Sequence, residues 1–247
     1  MLLYARITNF VCKFFKMNLT FFKSDTFWNS VLVTSVMLAT FILPVISDKW
    51  RITLFRLVYS LIYFSAIFSL KKRSSKLIVL FFITLILEWL SGIINLPVLH
   101  RISNGINIIF FLFIVILLIK QIASAKDVTA GVILSSIAGY LLLGIVFSIF
   151  VTFILQYDAS AFNIQQESSA NSNRMLLSGV SLYWGFVTMA SLGYGDIVPL
   201  KPYTRSLATF IVITGQFYIA ILVAMLVGKF AAQNDFKNSS DKNLRSL

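Results

Sequence analysis

Apolar residues run in long blocks along this chain, and polar or charged residues break them at only a few places. The blocks at 27–46, 52–70, 77–96 and 106–122 are each about long enough to cross a hydrocarbon core of ~30 Å as a helix. A fifth, 130–156, begins a few residues after the fourth ends, and a sixth covers 203–232. At about 45 Å as a helix, the sixth is longer than the core requires and can tilt or extend below it. Residues 1–24 follow another pattern. Leu3, Ile7, Phe10, Phe14 and Phe21 share one helical face while Arg6, Lys13, Lys16 and Lys23 recur on another, which predicts a basic amphipathic helix on the cytoplasmic leaflet, its lysines near anionic lipid. A secretory signal is the rival, but the lysines interrupt any apolar core.

The connection between the fifth and sixth blocks is the anomaly. Residues 157–178 are rich in Ser, Asn and Gln and read as a flexible outer loop. Residues 179–189 read as a helix too short to cross, so it must re-enter from the side it came from, and a polar, glycine-bearing segment, 188–196, follows. At membrane depth such irregular backbone is tolerated only where protein buries it or where it lines a watery cavity, because unpaired N–H and C=O groups cost several kcal/mol each in hydrocarbon. The segment therefore lines a path. The tail, 233–247, is short and polar and is expected to be disordered.

Composition narrows the class. With 247 residues, 58% hydrophobic and 12% charged, and a mean hydropathy of +0.88, the chain is an all-α polytopic membrane protein. Its net charge of +12 does not imply nucleic acid, since the basic residues sit at the ends of apolar blocks, where they set topology. The strongest cluster is Lys71-Lys72-Arg73-Ser74-Ser75-Lys76. Positive-inside bias puts it in the cytoplasm with both termini, and six crossings of the plasma or inner membrane satisfy that arrangement.

Little chemistry competes with this reading. Cys12 is the only cysteine and His100, beside Arg101 in an expected loop, the only histidine, so neither a disulfide nor a metal cluster is expected. No nucleotide, zinc-hydrolase or nucleophile-elbow motif is present, and we expect no enzyme activity, cofactor or small-molecule substrate. Two charges lie inside apolar blocks, Arg56 and Glu88, and helical rise brings them to nearly the same depth; a structural ion pair is expected, with a sensor or proton site as the alternative.

A dehydrated monovalent cation needs a cage of neutral oxygens, which four loops around one axis supply as stacked rings of backbone carbonyls. For successive carbonyls to point one way the backbone must alternate between ordinary dihedrals and ones L-residues resist, and Gly193 and Gly195 can adopt the latter. The segment Ser191-Leu192-Gly193-Tyr194-Gly195-Asp196, preceded by the aromatic pair Tyr183-Trp184 and by Thr188, and followed at 22 positions from Gly193 by Gly215, resembles the pore of the potassium channel family over about the last half of the chain.

The resemblance implies a re-entrant pore helix and selectivity filter between the fifth and sixth helices, with potassium coordinated by Ser191, Leu192, Gly193, Tyr194 and Gly195. It implies that Trp184 braces Tyr194, that Tyr183 faces Asp196, that Gly215 is an inner-helix hinge, and that Ile219, Val223, Val227 and Ala231 face the conduction path, the lower ones near a gate. Three residues depart from the family's pattern: Ser191 stands for its usual Thr, Leu192 for its Val, and Val187 where some bacterial members carry a Glu. The expected organisation is a leaflet helix at 1–24, a peripheral four-helix bundle at 27–122, a pore domain at 128–232 and a cytoplasmic tail at 233–247. The expected function is passive potassium conduction by a homotetramer, without voltage gating because residues 107–118 carry no charge. The alternatives are a weakly selective cation channel and a non-conducting accessory subunit of a cation transport complex.

Overall fold

The structure is a computed structural model, and it describes residues 25–42, 46, 48–70, 74–94, 96–164 and 174–245. Seven α-helices make up the fold among these residues: α1 (Asp25–Met37), α2 (Asp48–Phe68), α3 (Ser75–Ile94), α4 (Pro97–Ser124), α5 (Ala130–Tyr157), α6 (Arg174–Met189) and α7 (Pro202–Arg245). There is no sheet among them beyond one antiparallel bridge, Phe162 to Pro199. The leaflet helix, Cys12 and the basic residues 71–73 lie outside the described residues.

α5 organises the rest. Apolar on every side, it must be buried, and two-thirds (67%) of its most apolar window is, against 11% for α7. Thr129 caps its start by accepting a hydrogen bond from the Val132 amide. One face, with Leu142, Ile145 and Ile149, joins the core of α1 to α4 around Tyr63, Phe111 and Leu118. The opposite face, with Leu143, Phe147 and Val151, packs with Trp184 and Met189 of α6 and Ile211 of α7. α1 is tied to α5 directly, since the Asn29 amide donates to Ser135 Oγ at 2.7 Å. The first four helices therefore rest on α5 of their own chain. Gly185 lets α6 approach equally closely: a Cβ there would stand 2.7 Å from Ser148 Oγ.

Several boundaries differ from the sequence expectation. α4 starts at Pro97, not near 106, because proline at the first helical position has its φ already set and no N–H to leave unpaired. His100 and Arg101 are therefore helical rather than in a loop, and Arg101 lies 4.8 Å over the Tyr157 ring. α1 gives way to a π-helical turn, Leu38–Ile42, shortly before Pro44. α6 begins at Arg174 instead of 179. The expected disordered tail is helical as far as Arg245, since nothing in 233–245 is Gly or Pro and extending a formed helix adds one bond per residue fixed. Three helical stretches are long and apolar enough to cross a membrane, Val98–Ser124, Ala130–Tyr157 and Pro202–Gln233, and Thr26–Ile42 and Arg56–Phe68 are shorter apolar helices.

Candidate functional site

The segment after α6 begins as a helix cap. The Leu192 amide donates to the Val187 carbonyl and the Ser191 amide to the Thr188 carbonyl, both at 2.9 Å, which is the six-to-one and five-to-two pair that closes a Schellman cap. That cap needs a left-handed residue, and Ser191 supplies it with φ 61° although it carries a Cβ. Gly193 (φ 53°) and Gly195 (φ 79°) continue the pattern, so every second residue from 191 to 195 is left-handed. Gly193 and Gly195 were expected in such dihedrals; Ser191 was not. Among the described residues no backbone hydrogen bond ends on the carbonyls of 191–195. Leu192 and Tyr194 are 56% and 68% exposed in the single chain, so the carbonyls and these side chains await other partners.

Two consecutive aromatics hold the far end. The Tyr183 hydroxyl donates to Asp196 Oδ2 at 2.5 Å, and the Trp184 indole donates to the Ile197 carbonyl at 3.0 Å. The Tyr183 hydroxyl holds the Asp196 carboxyl below the usual carboxylate range. Trp184 stacks edge-on against Phe162 at 4.9 Å; within the chain it does not reach Tyr194, contrary to the expected brace, because that ring points away from its own helix.

The loop beyond is fastened to α5. The Asn163 amide donates to the Val198 carbonyl and the Leu200 amide to the Ala161 carbonyl, both at 2.9 Å. Asp158, at the end of α5, accepts from Ser160 Oγ at 2.6 Å and from the Tyr203 hydroxyl at 2.7 Å, and these donors lower its acidity constant, Ser160 most. The start of the expected flexible loop is thus a strut, and residues 165–173 lie outside the described residues.

On α7, what demands glycine at 215 is space: a Cβ would stand 2.5 Å from the Met189 carbonyl. The next residue, Gln216, donates from its amide to Ser191 Oγ at 2.8 Å. Steps of four advance about 400° on a helix, so Ile219, Val223, Val227 and Ala231 fall within about 60° of the Gln216 meridian. Ile219 and Val223 also border an apolar groove against Ile133, Ile137 and Tyr140 of α5. Farther down, Lys229 Nζ donates to the carbonyls of Ile122, Ala123 and Ala125 at 2.9, 2.7 and 2.6 Å, capping the end of α4.

Residues 140–232 match an ion channel family model, and the match encloses α6, the left-handed segment and the apolar part of α7. This is an ion channel domain. The channel domain is also similar to Two-pore potassium channel 5 of Arabidopsis thaliana, 43% identical over 47 residues, which is 19% of this chain and 12% of that relative. Both matches support the potassium channel family to which the motifs were likened. No solved structure matches the chain.

Arg56 and Glu88 are not brought together. Glu88 Oε2 instead accepts from Asn107 Nδ2 at 2.9 Å and from Ser103 Oγ at 3.1 Å, so neutral amide and hydroxyl donors on the adjacent α4 hold it, and no ion pair reaches it among the described residues. Sequence reasoning missed Gln216, Lys229 and Phe162. A lone polar residue inside an apolar helix was the available signal for the first two.

Proposed function

We propose that four copies of this chain form a potassium-selective channel, with the carbonyls of Leu192, Gly193, Tyr194 and Gly195 and the hydroxyl of Ser191 as the filter. The observation that carries the reading is the left-handed alternation at 191, 193 and 195, which turns successive carbonyls to one side of the strand. One chain contributes one such strand, and a closed cage needs several around an axis. The near-bare α7 supports the same arrangement, because neighbouring copies would cover it. α6 is then the pore helix, with its C-terminal partial negative charge directed toward the ion path. Thr188, Tyr183, Trp184 and Asp196 support the filter, while Gly215 and the face of Ile219, Val223, Val227 and Ala231 form the hinge and gate of the inner helix.

In this reading all of α1 to α5 and α7 cross the membrane and both termini are cytoplasmic. The peripheral bundle, 27–122, stays on its own chain's pore domain, 128–232, as the packing of α1 and α4 on α5 supports. Anionic lipid partners the leaflet helix, and gating answers something other than voltage. A weakly selective cation pore is the second reading, favoured by Ser191, whose hydroxyl is already engaged by Gln216. Reversal potentials of the reconstituted protein in mixed potassium and sodium test both. A reversal potential that follows the potassium gradient is expected, and one midway between the two ions establishes the second reading. Absence of conductance from pure protein would leave the accessory-subunit alternative and overturn the proposal.

A further inference from the structure

Behind α6, five helices converge on a polar cavity of about 60 Å³. Glu88 of α3, Asn104 and Asn107 of α4, and Ser148 and Thr152 of α5 line it, with Tyr59 and Leu182 closing the sides. The hydrogen-bond directions are one-sided. Ser148 and Thr152 donate their hydroxyl protons to carbonyls one turn back, at 2.7 and 2.9 Å, and so turn lone pairs to the cavity. Asn104 Nδ2 is directed to Gln156 at 3.4 Å. Asn107 must present Nδ2 to the Glu88 carboxylate, which fixes its Oδ1 on the other side. That oxygen belongs to a residue 3% exposed and has no partner among the described residues. The carboxylate itself meets only two neutral donors, although it has about four acceptor positions. A half-buried negative charge ringed by oxygen lone pairs is costly unless a positive charge joins it.

We propose that this cavity is a monovalent metal-cation site, with Glu88 supplying the charge and Asn107, Asn104, Ser148 and Thr152 supplying neutral oxygens. A proton would satisfy one oxygen pair, and water would bring hydrogens but no charge; a cation of sodium or potassium size satisfies several oxygens together and neutralises the carboxylate. One water needs on the order of 10–15 Å³, so the space admits an ion with two or three waters. All oxygen donors suit a hard cation. The site lies against α6 and α5 rather than in the proposed filter, and stands whether or not that filter selects potassium.

The test is thermal unfolding of the purified full chain at pH 8 in potassium-free choline chloride, titrated with sodium chloride at constant ionic strength. A cation bound to the folded state raises Tm in a saturating way. The rise is expected in the parent and in Gly193→Ala, absent in Glu88→Gln, and shifted to several-fold higher sodium in Thr152→Val, which keeps the shape and loses the oxygen. An equal rise in Glu88→Gln overturns the proposal. So does a parent insensitive to sodium whose Tm depends on pH through Glu88, because the carboxyl then carries a proton. If Glu88→Gln fails to fold, an unshifted midpoint in Thr152→Val overturns it alone.

Discussion

At the residue scale, the filter segment depends on two glycines for backbone reasons alone. At Gly193 and Gly195 no heavy atom of the chain lies within 4 Å of where a Cβ would stand, so alanine meets no clash inside the chain. What it meets is the left-handed φ, at about 1–2 kcal/mol for each residue and so in each subunit. Gly193→Ala and Gly195→Ala should each abolish or degrade potassium selectivity, read as a shifted reversal potential; unchanged selectivity in either would remove the glycines from the filter. Ser191 tolerates the same region because the Schellman bonds and the Gln216 amide hold it there. Asp196 offers a pH test. Its depressed folded acidity constant gives a contribution fully present above the unfolded value of about 3.9 and lost as pH falls through the lower folded value. Tyr183→Phe removes the main cause, so acid loss of conductance should move to higher pH, toward about 3.9. An acid limb identical in parent and mutant would mean that this hydrogen bond does not hold the filter.

At the element scale, the notable joint is between α4 and α7. Helix α4 ends with unpaired carbonyls that a cation can satisfy, and Lys229 reaches three carbonyls of that end and its linker. Gln233 adds a bond, accepting from the Val128 amide at 3.3 Å. The peripheral bundle is thereby strapped to the lower half of the proposed inner helix, and any movement of that half must break or carry the strap. Lys229→Met should lower unfolding stability by about 2 kcal/mol and change the open probability measured without stimulus, while Lys229→Arg should preserve much of both. Unaltered gating in Lys229→Met, with only the stability loss, would reduce the contact to a helix cap.

At the scale of the whole molecule, voltage is the question the peripheral bundle raises. Moving one charge through the field yields ~2.3 kcal/mol per 100 mV, and steep gates use about three or four charges per subunit. Along α4, residues 102–119 carry none; Arg101 at one end lies over Tyr157 and Lys120 stands at the other. Even four copies of Lys120 crossing the full field give only about four charges in all. Open probability should therefore vary little between about −100 and +100 mV in single-channel recordings. A steep sigmoid that survives Lys120→Gln would locate a sensor elsewhere.

The sequence alone determined the class of molecule, because apolar block length answers to membrane thickness and a Gly-Tyr-Gly segment between two such blocks has few uses in hydrocarbon. It also placed the two filter glycines, since a left-handed φ is a demand on the residue itself. The extents of α4, α6 and α7 were less legible: Pro97 is a helix start only if the chain before it is extended, and a polar tail continues a helix only if packing has already formed one. Which residues meet was decided by tertiary structure. Glu88 and Arg56 share a depth by arithmetic, yet depth leaves azimuth free, and rotation of α3 against α4 turned the carboxylate to Ser103 and Asn107. Gln216 and Ser191 lie 25 positions apart, as do Lys229 and the end of α4 at more than a hundred, and both meetings follow from the close approach of α7 to α6 at Gly215 and from the path of α7 past the α4–α5 linker.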